Sequence, residues 1–207
     1  MELYMEFKIY DILSSLVHGV ICLGTAMQLW GISFIDYGAV YFISLSFCIG
    51  YLINTLGSWI QRFLFWTFGG TPTTQMLKNR KGKTYSGIAN VRFYFTEELL
   101  KELKLELDDT ASDDKLSERM QQVARESNNS RIKDFNCSYA FSRSFIVSSA
   151  IISIMIISRI PYFWQTYLTL GIPAICYLRC RNRAFHYAKE VATEYLNTRR
   201  KNDNEIK

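Results

Sequence analysis

Nineteen consecutive residues, Ile12 to Trp30, contain no Asp, Glu, Lys or Arg, and twenty-one more, Ala39 to Trp59, repeat the pattern. A helix over the first run covers about 28 Å at 1.5 Å per residue, close to the roughly 30 Å hydrocarbon core of a bilayer. A chain inside lipid must satisfy its backbone internally, so such runs predict helices. The join, Gly31 to Gly38, carries only Asp36 as a charge, and the two runs therefore read as a helical hairpin. Trp30, Tyr37, Tyr41 and Trp59 stand near its ends, where aromatic rings favour the headgroup level. The overall composition, 49% hydrophobic and 21% charged, would suit a soluble chain. The apolar residues are segregated, however, into residues 12–68 and 144–178, with most charges between and after them.

Past Arg62 an aromatic block (Phe63, Phe65, Trp66, Phe68) extends the hairpin into the interface, and Gly69-Gly70-Thr71-Pro72 breaks the helix. Phe145 to Ile157 and Tyr162 to Leu178 form two shorter apolar runs around Arg159 and Pro161. They predict a second hairpin, with Pro173 kinking its outgoing helix; a single bent re-entrant unit is the alternative. Between the hairpins, Val91, Phe93 and Phe95 alternate with Arg92 and Tyr94 as in a short extended segment. Thr96 looks like the cap of a helix with Leu99, Leu100, Leu103 and Leu107 on one face, and the acids of 97–118 read as solvated faces and a linker. A second amphipathic helix carries Leu116, Met120, Val123 and Ala124 and ends at Asn128-Asn129-Ser130.

The expected fold is therefore all-α: a membrane protein of about four transmembrane helices with a small cytoplasmic helical insertion. Its parts are a first hairpin (1–68), a helical domain (69–138), a second hairpin (139–179) and a basic tail (180–207). Orientation follows from Lys and Arg. Fourteen lie between Ile60 and Arg143 and eight after Leu178, against none in the first turn and only Arg159 in the second. Both termini and the middle are thus expected on the cytoplasmic side. Arg143, Arg159, Arg179 and Arg183 read as membrane anchors. The N-terminus, with Glu2 and Glu6 against Lys8, lacks the positive region of a cleavable signal.

Few motifs carry chemistry. Cys22, Cys48, Cys137, Cys176 and Cys180 are odd in number and mostly lie in apolar runs, which argues against a disulfide framework. Cys176, Cys180 and His186 are too few for a zinc site, so no metal or cofactor is expected. Gly82-Lys83-Thr84 lacks the upstream glycine of a phosphate loop, since Leu77 occupies its place. No Ser-His-Asp set or paired carboxylate can be assembled. Polar residues within spans are functional candidates by default: His18, Gln28 and Asn54, as pore-lining or interhelical groups. Gly50 and Gly57 permit close helix approach, without the spacing of the Gly-x3-Gly dimer pattern.

Arg181-Asn182-Arg183-Ala184-Phe185-His186 resembles the Arg-x4-His motif of the HEPN superfamily of helical ribonucleases. With Gly50 to Trp59 leading to Gly69-Gly70-Thr71-Pro72, and with Phe135-Asn136 to Ser142-Arg143 before the third run, the chain also resembles small multi-span bacterial membrane accessory proteins. These accompany RNA-guided, CRISPR-associated defence nucleases. The resemblance implies a homo-oligomeric effector that permeabilises the bacterial inner (cytoplasmic) membrane in antiviral defence, and not an enzyme. It implies Arg181 and His186 as structural or gating residues. Two alternatives stand: a membrane-anchored regulator binding a partner nuclease through residues 78–143, and a tethered ribonuclease acting on RNA through Arg181 and His186.

Overall fold

The computed structural model describes residues 2–33, 38–78, 95–107, 110–127, 129–161 and 164–205. All regular structure among them is helical: α1 (Glu2–Trp30), α2 (Ala39–Trp59), α3 (Gln61–Phe68), α4 (Pro72–Lys78), α5 (Thr96–Glu106), α6 (Asp113–Glu126), α7 (Ser130–Arg159), α8 (Trp164–Tyr167) and α9 (Gly171–Glu205). Of the extended segment expected at 91–95 and the basic run at 78–95, residues 79–94 lie outside the described residues; Lys78 ends α4 and Phe95 precedes α5 as its cap residue. Three stretches are long and apolar enough to cross a membrane: Tyr10–Trp30, Ala39–Lys78 and Ser130–Arg159. The fourth apolar run is not one helix. It divides into α8, a 3-10 turn over Leu168–Leu170, and the start of α9. Pro173 stands in the first turn of α9 rather than kinking a span, a position where the missing N–H breaks no intrahelical bond.

The helices group into two compact units, Met1–Gln61 with Ala140–Arg179, and Arg62–Tyr139 with Cys180–Lys207. The segment read as a tail thus shares a unit with the insertion, and the expected boundary near residue 139 falls inside the unbroken α7.

The first unit is partitioned inside out. Val40, Leu52, Ile154 and Ile175 are 62–81% exposed, while Ser14, Ser15, His18, Ser46, Ser148 and Ser153 are buried. Water favours the opposite arrangement, with apolar groups inside. The α1–α2 hairpin is closed by small residues: a Cβ on Gly19 would collide with the Ser46 carbonyl, and one on Gly50 with the Ser15 carbonyl. Ser15-x3-Gly19 on one helix thus faces Ser46-x3-Gly50 on the other, the spacing that lets helix backbones approach in lipid. α7 joins them. Its Ser144 lies where a Cβ on Gly57 would come within 3.0 Å of Oγ, and its Ser148 carbonyl accepts from the Cys22 thiol at 3.8 Å.

The second unit follows the soluble rule. Leu99, Leu100 and Leu103 of α5 and Leu116, Met120, Val123 and Ala124 of α6 are buried as their spacing predicts, together with Met76 and Leu77 of α4; Leu107, expected on the same face, lies past the end of α5 and is 42% exposed. The remaining wall is α9, whose Phe185, Ala188, Val191, Ala192, Tyr195 and Leu196 recur every three or four residues on one face. Thr96 is buried inside α5 and Phe95 takes the cap position, without a side-chain cap bond. The Ser112 hydroxyl caps α6 by accepting from Lys115 N at 3.5 Å. Gly69 and Gly70, at φ of 85° and 128°, end α3 in a backbone conformation that L side chains rarely adopt. Their N–H groups donate back to Trp66 and Phe65 carbonyls at 3.1 and 2.8 Å.

Candidate functional site: a polar interior in the three-helix unit

The first unit concentrates its polar groups where α1, α2 and α7 face one another. His18 is fully buried, with the rings of Phe141 and Phe145 at 4.7 and 5.7 Å between centroids. Its Nδ1 lies 3.3 Å from Ser148 Oγ, and that hydroxyl also lies 3.2 Å from the Phe145 carbonyl, to which it donates. His18 Nε2 has no hydrogen-bond partner among the described residues. Ser46 Oγ, also fully buried, is likewise unpartnered. Leaving a buried polar group unsatisfied costs about 1–3 kcal/mol, so these two atoms mark a place where apolar packing is not optimal.

Seven residues before His18 on the same face of α1, a cleft of about 290 Å³ opens. Asp11, Ser15, Tyr51, Asn54, Arg143 and Ser144 are among its lining residues. Asn54 Nδ2 donates to Ser15 Oγ at 2.6 Å, tying α2 to α1. Arg143 Nη2 donates to Ser58 Oγ at 3.0 Å and Nη1 to Gln61 Oε1. Of the span candidates, the structure therefore brings His18 and Asn54 to the interior. Gln28 is exposed and does not join them. Arg159 closes the far end of α7 against α1, its Nε donating to the Leu29 carbonyl at 3.3 Å. Arg179 lines a separate, apolar groove.

The remaining candidates belong to the second unit. Arg181 and His186, five residues apart on α9, project about 140° apart at 100° per residue. The Arg181 guanidinium lies 6.0 Å from the centre of the Phe185 ring, and His186 stacks on Phe135 at 5.9 Å. Within one chain the pair does not converge. Burial, then the positive charges of Arg183 and Lys189, hold the His186 imidazole below its usual range, against the opposing pull of Glu190. Among the described residues no group of three His, Cys, Asp or Glu side chains converges to hold a metal.

Two features escaped the sequence. The reciprocal Ser-x3-Gly pairs were visible as spacing, had serine been counted as a small residue. The other is Glu106, read as one of the solvated acids. Its Oε1 accepts from Arg119 Nε and Nη2 at 2.8 and 2.5 Å, its Oε2 accepts from Tyr195 OH at 2.7 Å, and Arg199 pairs with it as well. Burial alone would raise this carboxyl, but the hydrogen bonds from Arg119, Arg199 and Tyr195 outweigh it and hold Glu106 at about 2. Burial and the neighbouring carboxylate push the Tyr195 phenol up to about 12. The cluster pins α5, α6 and α9 together.

No known protein family, no curated protein and no solved structure matches this chain.

Proposed function

We propose that the chain is a membrane protein of four crossings, with both termini and the second unit in the cytoplasm. Its first unit opens as an oligomer to permeabilise the inner membrane in antiviral defence. The observation that carries the reading is the inverted partition of the first unit, apolar outside and polar inside, around a fully buried histidine with an unpartnered nitrogen. Lipid replaces water as the solvent of the outer face, and separation of α1, α2 and α7 would wet the inner one. Ile132 of α7 shares a core with Phe185 and Val191 of α9. In this reading a chain that crosses along α7 returns before Cys180. The return crossing consists of α8, the 3-10 turn and the start of α9, short elements that local bilayer thinning accommodates.

The test is membrane potential. Induced expression in a bacterial host carrying a voltage-sensitive dye, with the purified chain reconstituted into dye-loaded vesicles in parallel, is expected to show depolarisation and leakage. His18→Leu, which matches the apolar surroundings, is expected to reduce both. Tight vesicles together with an unchanged potential overturn the reading.

A second reading, a membrane-anchored regulator of a nuclease, draws on Leu105 and Leu107, which stand 73% and 42% exposed at the end of α5. Partner capture lost on Leu105→Glu, with membrane potential unaffected by the native chain, would favour it over permeabilisation.

A further inference from the structure

We infer that the groove between α7 and α9 in the first unit is a binding site for one anionic phospholipid, with an acyl chain along its apolar wall and the headgroup phosphate on Arg179. The inference rests on the membrane reading above and adds a specific ligand site to it. The groove holds about 350 Å³ and is lined by Phe141, Phe145, Ile172, Ile175 and Cys176, with Ser142 and Arg179 as its polar members. On α9, Ile172, Ile175, Cys176 and Arg179 recur at steps of three, four and seven residues, so they form one stripe. That stripe runs about 10 Å from an apolar end to a guanidinium.

The chemistry of the two ends selects the occupant. Ile172 and Ile175 are exposed on the same face, as the walls of an acyl-chain channel must be. Arg179 directly follows Leu178, the last residue of the apolar run, which puts its side chain at headgroup depth. It makes no ion pair among the described residues. A guanidinium presents a planar fork suited to a phosphate, and basic pockets between spans at the cytoplasmic face are suited to anionic headgroups. The apolar helix of a second copy would fill the wall and leave the cation unanswered.

The full-length protein, purified in mild detergent and exchanged into mixed phosphatidylglycerol and phosphatidylcholine, tests this by native mass spectrometry. The expected result is one retained phosphatidylglycerol per chain, preferred severalfold over phosphatidylcholine. Arg179→Gln should abolish the preference while apolar retention persists, Ile175→Trp should displace the lipid by filling the groove, and Lys101→Gln, exposed on α5 of the second unit, should change neither. Preference unaltered in Arg179→Gln, or no retained lipid in the native chain, overturns the site. A second copy in the groove would appear as a dimer that Ile175→Trp dissociates without any change in lipid, and this too overturns it. If the chain needs no detergent at all, the membrane reading fails first, and that outcome is distinguishable from failure of the site.

Discussion

Replacing Glu106 by Gln removes one negative charge from between two guanidinium groups while preserving the shape of the side chain. In the native protein the carboxyl is held at about 2 against an ordinary 4.5, a shift of about 2.5 units. At 1.36 kcal/mol per unit this corresponds to somewhat over 3 kcal/mol. The Glu106 side chain is 17% exposed and those of Arg119 and Arg199 are each 30% exposed, so solvent screens part of it. A contribution of about 2–3 kcal/mol remains. The sign follows from the depressed value. The stabilisation is complete above about pH 4.5, declines as the pH falls through the interval down to about 2, and is absent below it. Glu106→Gln at pH 7 should therefore lower the melting temperature of the detergent-solubilised chain by about 5–10 °C, followed by circular dichroism. It should also flatten the acid dependence between pH 4.5 and 2. A variant that melts within about 1 °C of the native protein, or that keeps the full acid dependence, would refute the argument that this carboxylate ties the three helices together.

Other substitutions probe other contacts. Gly50→Leu drives a side chain into the Ser15 carbonyl and should prevent a monodisperse folded particle, whereas Gly24→Ala, with nothing within 4 Å of the new atom, should leave stability within about 0.5 kcal/mol or raise it slightly. Asn54→Leu loses the 2.6 Å bond to Ser15 and should cost about 1 kcal/mol or less in unfolding assays, as interhelical hydrogen bonds in membranes do. His186→Phe keeps a ring on Phe135 and should leave thermal stability and membrane leakage unchanged; RNA cleavage by the native chain that this variant lacked would restore the ribonuclease reading.

The helices were legible wherever one physical rule governed a segment. Charge-free runs of spanning length marked α1 and α2, and the apolar spacing of α5 and α6 predicted the buried side chains except Leu107, which falls beyond the end of α5. Gly69-Gly70 marked the break after α3, because positive φ has few other residues to serve it. The second half of α9 was misread as a basic tail because its apolar stripe is built from Ala188, Val191 and Ala192 between charges, a weak periodic signal beside Arg181, Arg183 and Lys189. For the fourth apolar run the sequence marks the interruption at Gly171 and Pro173, expected as a kink, but not that α9 starts there after α8 and a 3-10 turn. Of the candidate site, His18 and Asn54 were found by a single rule, that polar groups in apolar runs need a reason. Gln28 obeyed the same rule and lies outside. Glu106 was invisible for a different reason: its partners Arg119, Tyr195 and Arg199 come from other helices, and only the folded core brings them to it.

Everything functional rests on passage of the first unit through a bilayer with the second unit on the cytoplasmic side. Epitope tags inserted after Ser33, after Ile160 and after Thr110 (in the link between α5 and α6), each in the otherwise full chain, can be probed with an impermeant reagent in intact bacterial spheroplasts and again after lysis. The account predicts that the tags at 33 and 160 are reached in intact spheroplasts and that the tag at 110 is reached only after lysis. Tags at 33 and 160 reached only after lysis, or a chain released from membranes by alkaline carbonate, would contradict it.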